Sequence, residues 1–304
     1  MNWQHRAADF EQLKEANRIY LSRVLGSPRM RLVSGALAPW RERVVERYAD
    51  QALAFDEDVA THGLRAAAQR WVERFTRELV ISGATHVPAT GPVVFVGNHP
   101  GSYDMDAALA AIARDDVKTF VADVPYYRIL KHFARDRFIY VTDESAGQRR
   151  EAAAVSAQHV QQGGALLLFP GGNIEPEPAF EARADERLGT WHRSLDLLAR
   201  WTPELRVVPM AISGILHPAS NRNLIKRLLK IESAKERENL AVAIRLFLPR
   251  LRTRRVNITF GAPLPATDPA VPSRSLTERA RDALGGLLAE AAGDRSVAAD
   301  GRTA

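Results

Sequence analysis

A histidine followed five residues later by an aspartate, at the end of an apolar run, is the pair in this chain best suited to moving a proton. His99 and Asp104 fall within residues 93–104. There Val93, Val94, Phe95 and Val96 lead into a turn of Gly97, Asn98, His99, Pro100 and Gly101, and then toward a helix near Ser102. Open α/β sheets place their sites at such carboxyl ends of strands. Asp104 lies about one helical turn into the helix, so its carboxylate can fold back to the imidazole. A carboxylate on one ring nitrogen fixes the tautomer and raises the basicity of the other, which can then take a proton from a hydroxyl. Taken alone, the same residues also fit a loop-capping histidine and an aspartate serving a helix N-terminus.

A second stretch, residues 165–175, repeats the pattern of apolar run and tight turn. Leu166, Leu167, Leu168 and Phe169 lead into Pro170, Gly171, Gly172, Asn173 and Ile174. Adjacent glycines let a backbone approach closely, so N–H groups of this turn could face an anion or a polarised carbonyl, as in an oxyanion site. An ordinary left-handed turn is the alternative. Asp106 is a second carboxylate near His99, at a less suitable offset. His132, His159, His192 and His217 have no partner at a suggestive spacing.

In order and spacing these stretches resemble the phospholipid/glycerol acyltransferase superfamily, of the lysophospholipid acyltransferase type. Its first block, N-H-x₄-D after a strand, is Asn98, His99 and Asp104 here. Its third, usually Phe-Pro-Glu-Gly-Thr-Arg, is matched by Phe169, Pro170, Gly171, Gly172, Asn173 and Ile174. Its fourth is matched by Val208, Pro209, Met210, Ala211 and Ile212, and its closing strand by Phe260, Gly261, Ala262, Pro263 and Leu264. The likeness covers about residues 80–265. It implies acyl transfer from an acyl thioester, acyl-CoA or acyl carrier protein, to a hydroxyl of a lipid acceptor. It implies His99 as general base oriented by Asp104, with Asn98, Gly171, Gly172 and Asn173 binding substrate. No metal, no cofactor and no covalent enzyme intermediate are implied; the thioester is a substrate.

Departures from the family pattern bear on the acceptor. Asp123 stands where a lysine is frequent, Val141 where an arginine closes the second block, Gly171 for the usual Glu and Ile174 for the usual Arg. Neither Val nor Ile can replace a guanidinium that grips phosphate in two places. Arg137, Arg149 or Arg150, nearby in sequence, could substitute for the missing cations. The expectation is an acceptor without a strong requirement for phosphate. Two other readings remain: a catalytically idle lipid-binding protein of the same fold, and a metallophosphoesterase, whose Gly-Asn-His motif is echoed by Gly97, Asn98 and His99. The second lacks the Asp-x-His and Gly-Asp-x-x-Asp segments that such sites need. No G-x-S-x-G elbow points to a serine hydrolase.

The elements that must hold these residues follow from periodicity. Residues 10–80 repeat apolar positions at three and four, as Leu13, Ala16, Ile19, Tyr20 and Val24 do, with breaks at 26–28 and at Pro39. Trp71 and Phe75 belong to a buried face of the segment 64–80. From there, short apolar runs at 93–96, 119–122, 138–141, 165–169, 207–212 and 256–260 alternate with helical stretches at 106–113 and 149–162, and a helix closes the chain over 276–292. Such alternation predicts an α/β fold, a mostly parallel, twisted sheet covered by helices, with an N-terminal helical extension. The expected division is a helical region 1–79, an acyltransferase domain 80–292 and a disordered tail 293–304.

Composition sets the surroundings. The absence of cysteine excludes disulfides, thiolate catalysis and Cys-ligated metals. No apolar run is long enough to cross a bilayer, and the N-terminus lacks the apolar stretch of a signal peptide, so a cytoplasmic location is expected. The whole chain carries +6, yet residues 222–255 alone hold eleven Lys/Arg against three Glu. That patch contains two apolar-basic segments, 224–229 and 241–248, and no motif or aromatic interleaving of a nucleic-acid binder. The expected partner is an anionic membrane surface on the cytoplasmic face, with no nucleic acid. Residues 31–41, apolar between two arginines and including Trp40, suit either packing against the catalytic domain or shallow membrane insertion.

Overall fold

Four helices precede the first strand: α1 (Trp3–Leu25), α2 (Arg31–Leu37), α3 (Arg41–His62) and α4 (Leu64–Val72). The computed structural model describes residues 3–26, 31–101, 103–141, 146–181, 184–188 and 191–300. Ser102, near which the sequence starts the site helix, and residues 27–28 of the first expected break lie outside these. α3 buries Val44, Val45, Ala49, Ala52, Leu53, Phe55, Asp56 and Val59, the three-and-four spacing of an amphipathic face. Gly63 ends it at φ 82, where a side chain would be strained, and the chain turns directly into α4.

Strands and helices then alternate. In order they are β1 (Leu79–Ser82), β2 (Val93–Gly97), α5 (Asp104–Ala111), β3 (Val117–Ala122), α6 (Pro125–Ile129), α7 (Lys131–Ala134), β4 (Phe138–Val141), α8 (Ala146–Gln161) and β5 (Ala165–Leu168). There follow α9 (Ser194–Trp201), β6 (Arg206–Ser213), α10 (Asn223–Leu229), α11 (Ala234–Phe247), β7 (Val256–Phe260), β8 (Leu264–Pro265) and α12 (Leu276–Asp300). The strand order is β1-β7-β6-β2-β5-β3-β4, with β8 also on β6. β6, β2, β5, β3 and β4 are parallel neighbours. The fold is therefore the α/β one expected, a mostly parallel sheet. β7 and β8 run antiparallel to β6, which periodicity could not reveal.

β2 lies at the middle of the sheet and is buried along its whole length. Alternate side chains go to opposite faces: Val93 and Phe95 join one core cluster, Val94 and Val96 the other. The first cluster extends through Trp71, Phe55 and Leu13, so the N-terminal helices and the sheet share one core. Trp71 packs its ring against Tyr48, Phe55 and Phe75. α12 runs from Leu276 to Asp300, beyond residue 292 where the sequence ended the closing helix. Residues 301–304 lie outside those described.

Candidate active site

The carboxyl ends of β2, β5 and β6 lie side by side, so the turns that follow them must converge. His99 follows β2, and its Nδ1 is 2.7 Å from Oδ2 of Asp104, the first residue of α5. Asp104 is almost wholly buried. Its Oδ2 also accepts the Gly101 N–H at 3.0 Å and its Oδ1 the Met105 N–H at 2.7 Å, so its orientation is fixed from three sides. The His99 side chain is 28% exposed and stacks on the Phe169 ring at 4.9 Å between centroids. Among the described residues nothing hydrogen-bonds its Nε2. Burial pushes the imidazole pKa down, but the Asp104 charge and hydrogen bond outweigh this, Glu175 and Glu238 add to it, and the net shift is upward.

Asn98 is turned away from the opening. Its amide donates to the Ile212 carbonyl at 2.9 Å and accepts the Ile212 N–H at 2.8 Å, both ends being used to clamp β2 to β6. The sequence suggested a substrate contact for this side chain; here both of its polar ends are engaged with Ile212. The Gly-rich turn does lie beside His99. Gly172, at φ 65, donates its N–H to the Phe169 carbonyl at 3.0 Å and so closes the turn. The N–H groups of Gly171 and Asn173 donate no hydrogen bond among the described residues. The Asn173 side chain is exposed and reaches back to the Gly171 carbonyl at 3.5 Å.

Two glutamates that the sequence reading passed over are buried here. Glu175 accepts the His99 N–H at 3.0 Å through Oε2, while its own N–H donates to the His99 carbonyl at 2.8 Å. Glu177 accepts N–H groups of Ala179 at 3.0 Å, Gly214 at 2.8 Å and Leu216 at 3.0 Å, which ties the loop after β5 to the loop after β6. Two acidic residues right after a strand-end glycine pair were the one available signal. Asp106, by contrast, accepts from the Trp71 indole at 3.2 Å and not from His99, and burial pushes its pKa up to about 7. Among the described residues no three His, Cys, Asp or Glu side chains gather to hold a metal ion.

At the far side of the same sheet edge, Asp123 follows β3 and takes both prongs of Arg128, at 2.8 and 2.9 Å. The guanidinium lies 3.9 Å over the Tyr140 ring. No helix among the described residues is long and apolar enough to cross a membrane.

Residues 78–213 match the model of the family described as Acyltransferase, a stretch that holds all the polar groups placed around His99 above except Glu238, Gly214 and Leu216. No curated protein sequence matches. Among solved structures, the 1-acyl-sn-glycerophosphate (LPA) acyltransferase PlsC from Thermotoga maritima is similar, with 16% identity over 97% of this chain and 98% of that one and a TM-score of 0.47.

Proposed function

We propose that the chain, whose residues 78–213 match the acyltransferase family model, moves a fatty acyl group from an acyl thioester to a lipid hydroxyl with His99 as general base. The Asp104 carboxylate keeps the proton on Nδ1, so Nε2 takes the acceptor's hydroxyl proton as the oxygen attacks the thioester carbonyl. The tetrahedral oxyanion faces the turn of residues 171–173, where Gly171 and Asn173 supply N–H donors. Collapse breaks the C–S bond, and the imidazolium returns the proton to the departing thiolate. No metal, cofactor or covalent enzyme intermediate takes part; acyl-CoA or acyl carrier protein serves as donor.

The observation that carries this reading is the 2.7 Å contact between His99 and a buried, triply bonded Asp104, beside a Gly turn with unspent N–H groups. The test is thiol release from acyl-CoA against a panel of lipid acceptors. His99→Ala should lower turnover by about 10²–10⁴-fold in a folded protein, and Asp104→Asn should impair it strongly. Equal turnover by folded His99→Ala would overturn the mechanism. Release by neither protein, with lipid still bound, would favour an idle lipid-binding role.

The acceptor is an uncharged or weakly anionic lipid alcohol. Asp123, Val141 and Ile174 stand at the positions of usual cations, and Arg128 is already held by Asp123 and Tyr140. In competition, lysophosphatidate should show no strong advantage over a neutral lipid alcohol; a clear preference for the phosphorylated acceptor would refute this. The reaction takes place on the surface of an anionic membrane, at its cytoplasmic face, where long-chain acceptors reside.

A further inference from the structure

We propose that Glu175 is the positioning residue for His99, and that residue 171 is glycine because the Glu175 carboxylate occupies the space its side chain would fill. The inference rests on His99 being the base, as read above. His99 sits on an irregular turn after β2, outside the strand ladder, so something other than sheet pairing must fix its backbone. Glu175 does so twice, with its own N–H on the His99 carbonyl and its Oε2 on the His99 N–H. The carboxylate is buried, which makes that charge-assisted bond strong and its loss costly.

Gly171 completes the arrangement. A Cβ there would lie 2.4 Å from Oε1 of Glu175, and the other atoms within reach, at 3.2 and 3.8 Å, belong to the same side chain. Gly171 is not among the positive-φ glycines, so its backbone does not need glycine for conformation. The room is needed by Glu175 alone. Where the resembling family usually carries Glu, this chain has Gly171, with the buried glutamate four residues further along. Glu175 also raises the His99 pKa through its charge, so it acts on the base in orientation and in basicity.

The experiment is a cycle in the full-length protein: Gly171→Ala, Glu175→Ala, both together, Glu175→Gln, and Gly171→Glu with Glu175→Ala. His99→Ala serves as reference. Turnover and its pH profile are measured, and the His99 pKa is followed by NMR of the labelled imidazole. Displacing the base by a fraction of its reach costs on the order of 100-fold. Glu175→Ala should therefore lower kcat by about that much with KM nearly unchanged. Gly171→Ala should do likewise, because its methyl expels the carboxylate, and the double variant should be no worse than either. Gly171→Glu with Glu175→Ala should recover at least about tenfold by restoring a carboxylate to that space.

Glu175→Gln keeps the shape and an acceptor oxygen but loses the charge. It should fold even if Glu175→Ala does not, and should lower the His99 pKa, moving the acid limb of the pH profile to lower pH. A purely structural anchor would leave that limb in place. Multiplying losses for Gly171→Ala and Glu175→Ala would overturn the proposal, as would an unchanged His99 pKa in Glu175→Gln. If His99→Ala is as active as the unaltered protein, the acyl-transfer reading falls, while the NMR comparison still decides the role of Glu175.

Discussion

Two carboxylates on the first turn of α5 have been given opposite work by their surroundings. Asp104 meets His99 and two N–H groups, whereas Asp106 meets the Trp71 indole inside the aromatic cluster. The pairing of His99 with Asp104 was legible in the sequence because strand, turn and helix entry are all local. Glu175, Glu177 and Phe169 were not, because they meet His99 and the β6 loop only through the sheet order that sets β2 between β5 and β6. Two pH effects follow. In the proposed reaction the base form of His99 takes the proton, and, against its burial, the Asp104 charge holds its pKa above an ordinary imidazole's value of about 6.5. The rate should thus rise with pH along a limb centred above that value, and a limb centred below it would contradict the pairing with Asp104. For Asp106, burial raises the folded pKa to about 7, while the unfolded chain titrates near 4, roughly. Between these values the folded state holds a proton the unfolded state has released, so stability falls as pH rises. Asp106→Asn should remove that fall and exceed the unaltered protein at pH about 8 by on the order of 1–2 kcal/mol in urea unfolding.

At the scale of elements, the site depends on loops that no ladder holds. Glu177 gathers three N–H groups from two of them, against the desolvation that raises its own pKa. Glu177→Ala should leave those donors unpaired and cost about 2–4 kcal/mol, read as a lower urea midpoint with an unchanged slope. An unchanged midpoint would mean that water takes the carboxylate's place. Most of the strands were legible, since buried parallel strands read as short apolar runs. β8 was not, because Leu264–Pro265 is too short to show a period. The apolar-basic segment 241–248 shows the opposite failure. Its pattern fitted a membrane-facing helix, yet α11 buries Leu240, Val242, Ala243 and Leu246 against α1 and α3. A helix stripe says that a face is covered, not by what.

For the whole molecule, that leaves α10 as the element best placed to touch a membrane. It buries none of its residues; Leu224 is 71% and Leu228 70% exposed, four residues apart on one side. Lys226 and Arg227 fall between them and Lys230 follows at the helix end. Trp40, Leu248 and Leu251 are further large apolar side chains exposed on the protein. Two leucines entering the interface contribute apolar burial, and each basic residue near an anionic leaflet adds on the order of 1 kcal/mol. Together these suffice for reversible attachment without a spanning segment. Vesicles containing phosphatidylglycerol should therefore bind the protein at low salt, and phosphatidylcholine vesicles much less. Because exposed charges are screened within about 10 Å at 0.1 M salt, binding should weaken as salt rises. Changing Lys226, Arg227 and Lys230 together to Glu should abolish the salt-sensitive part. Changing Leu224 and Leu228 to Ser should weaken binding at every salt concentration alike, since it removes insertion and leaves the charges. Cosedimentation separates the two contributions. If the unaltered protein ignores anionic vesicles at low salt, α10 is only a solvated helix, and the proposed reaction at a membrane surface loses this support.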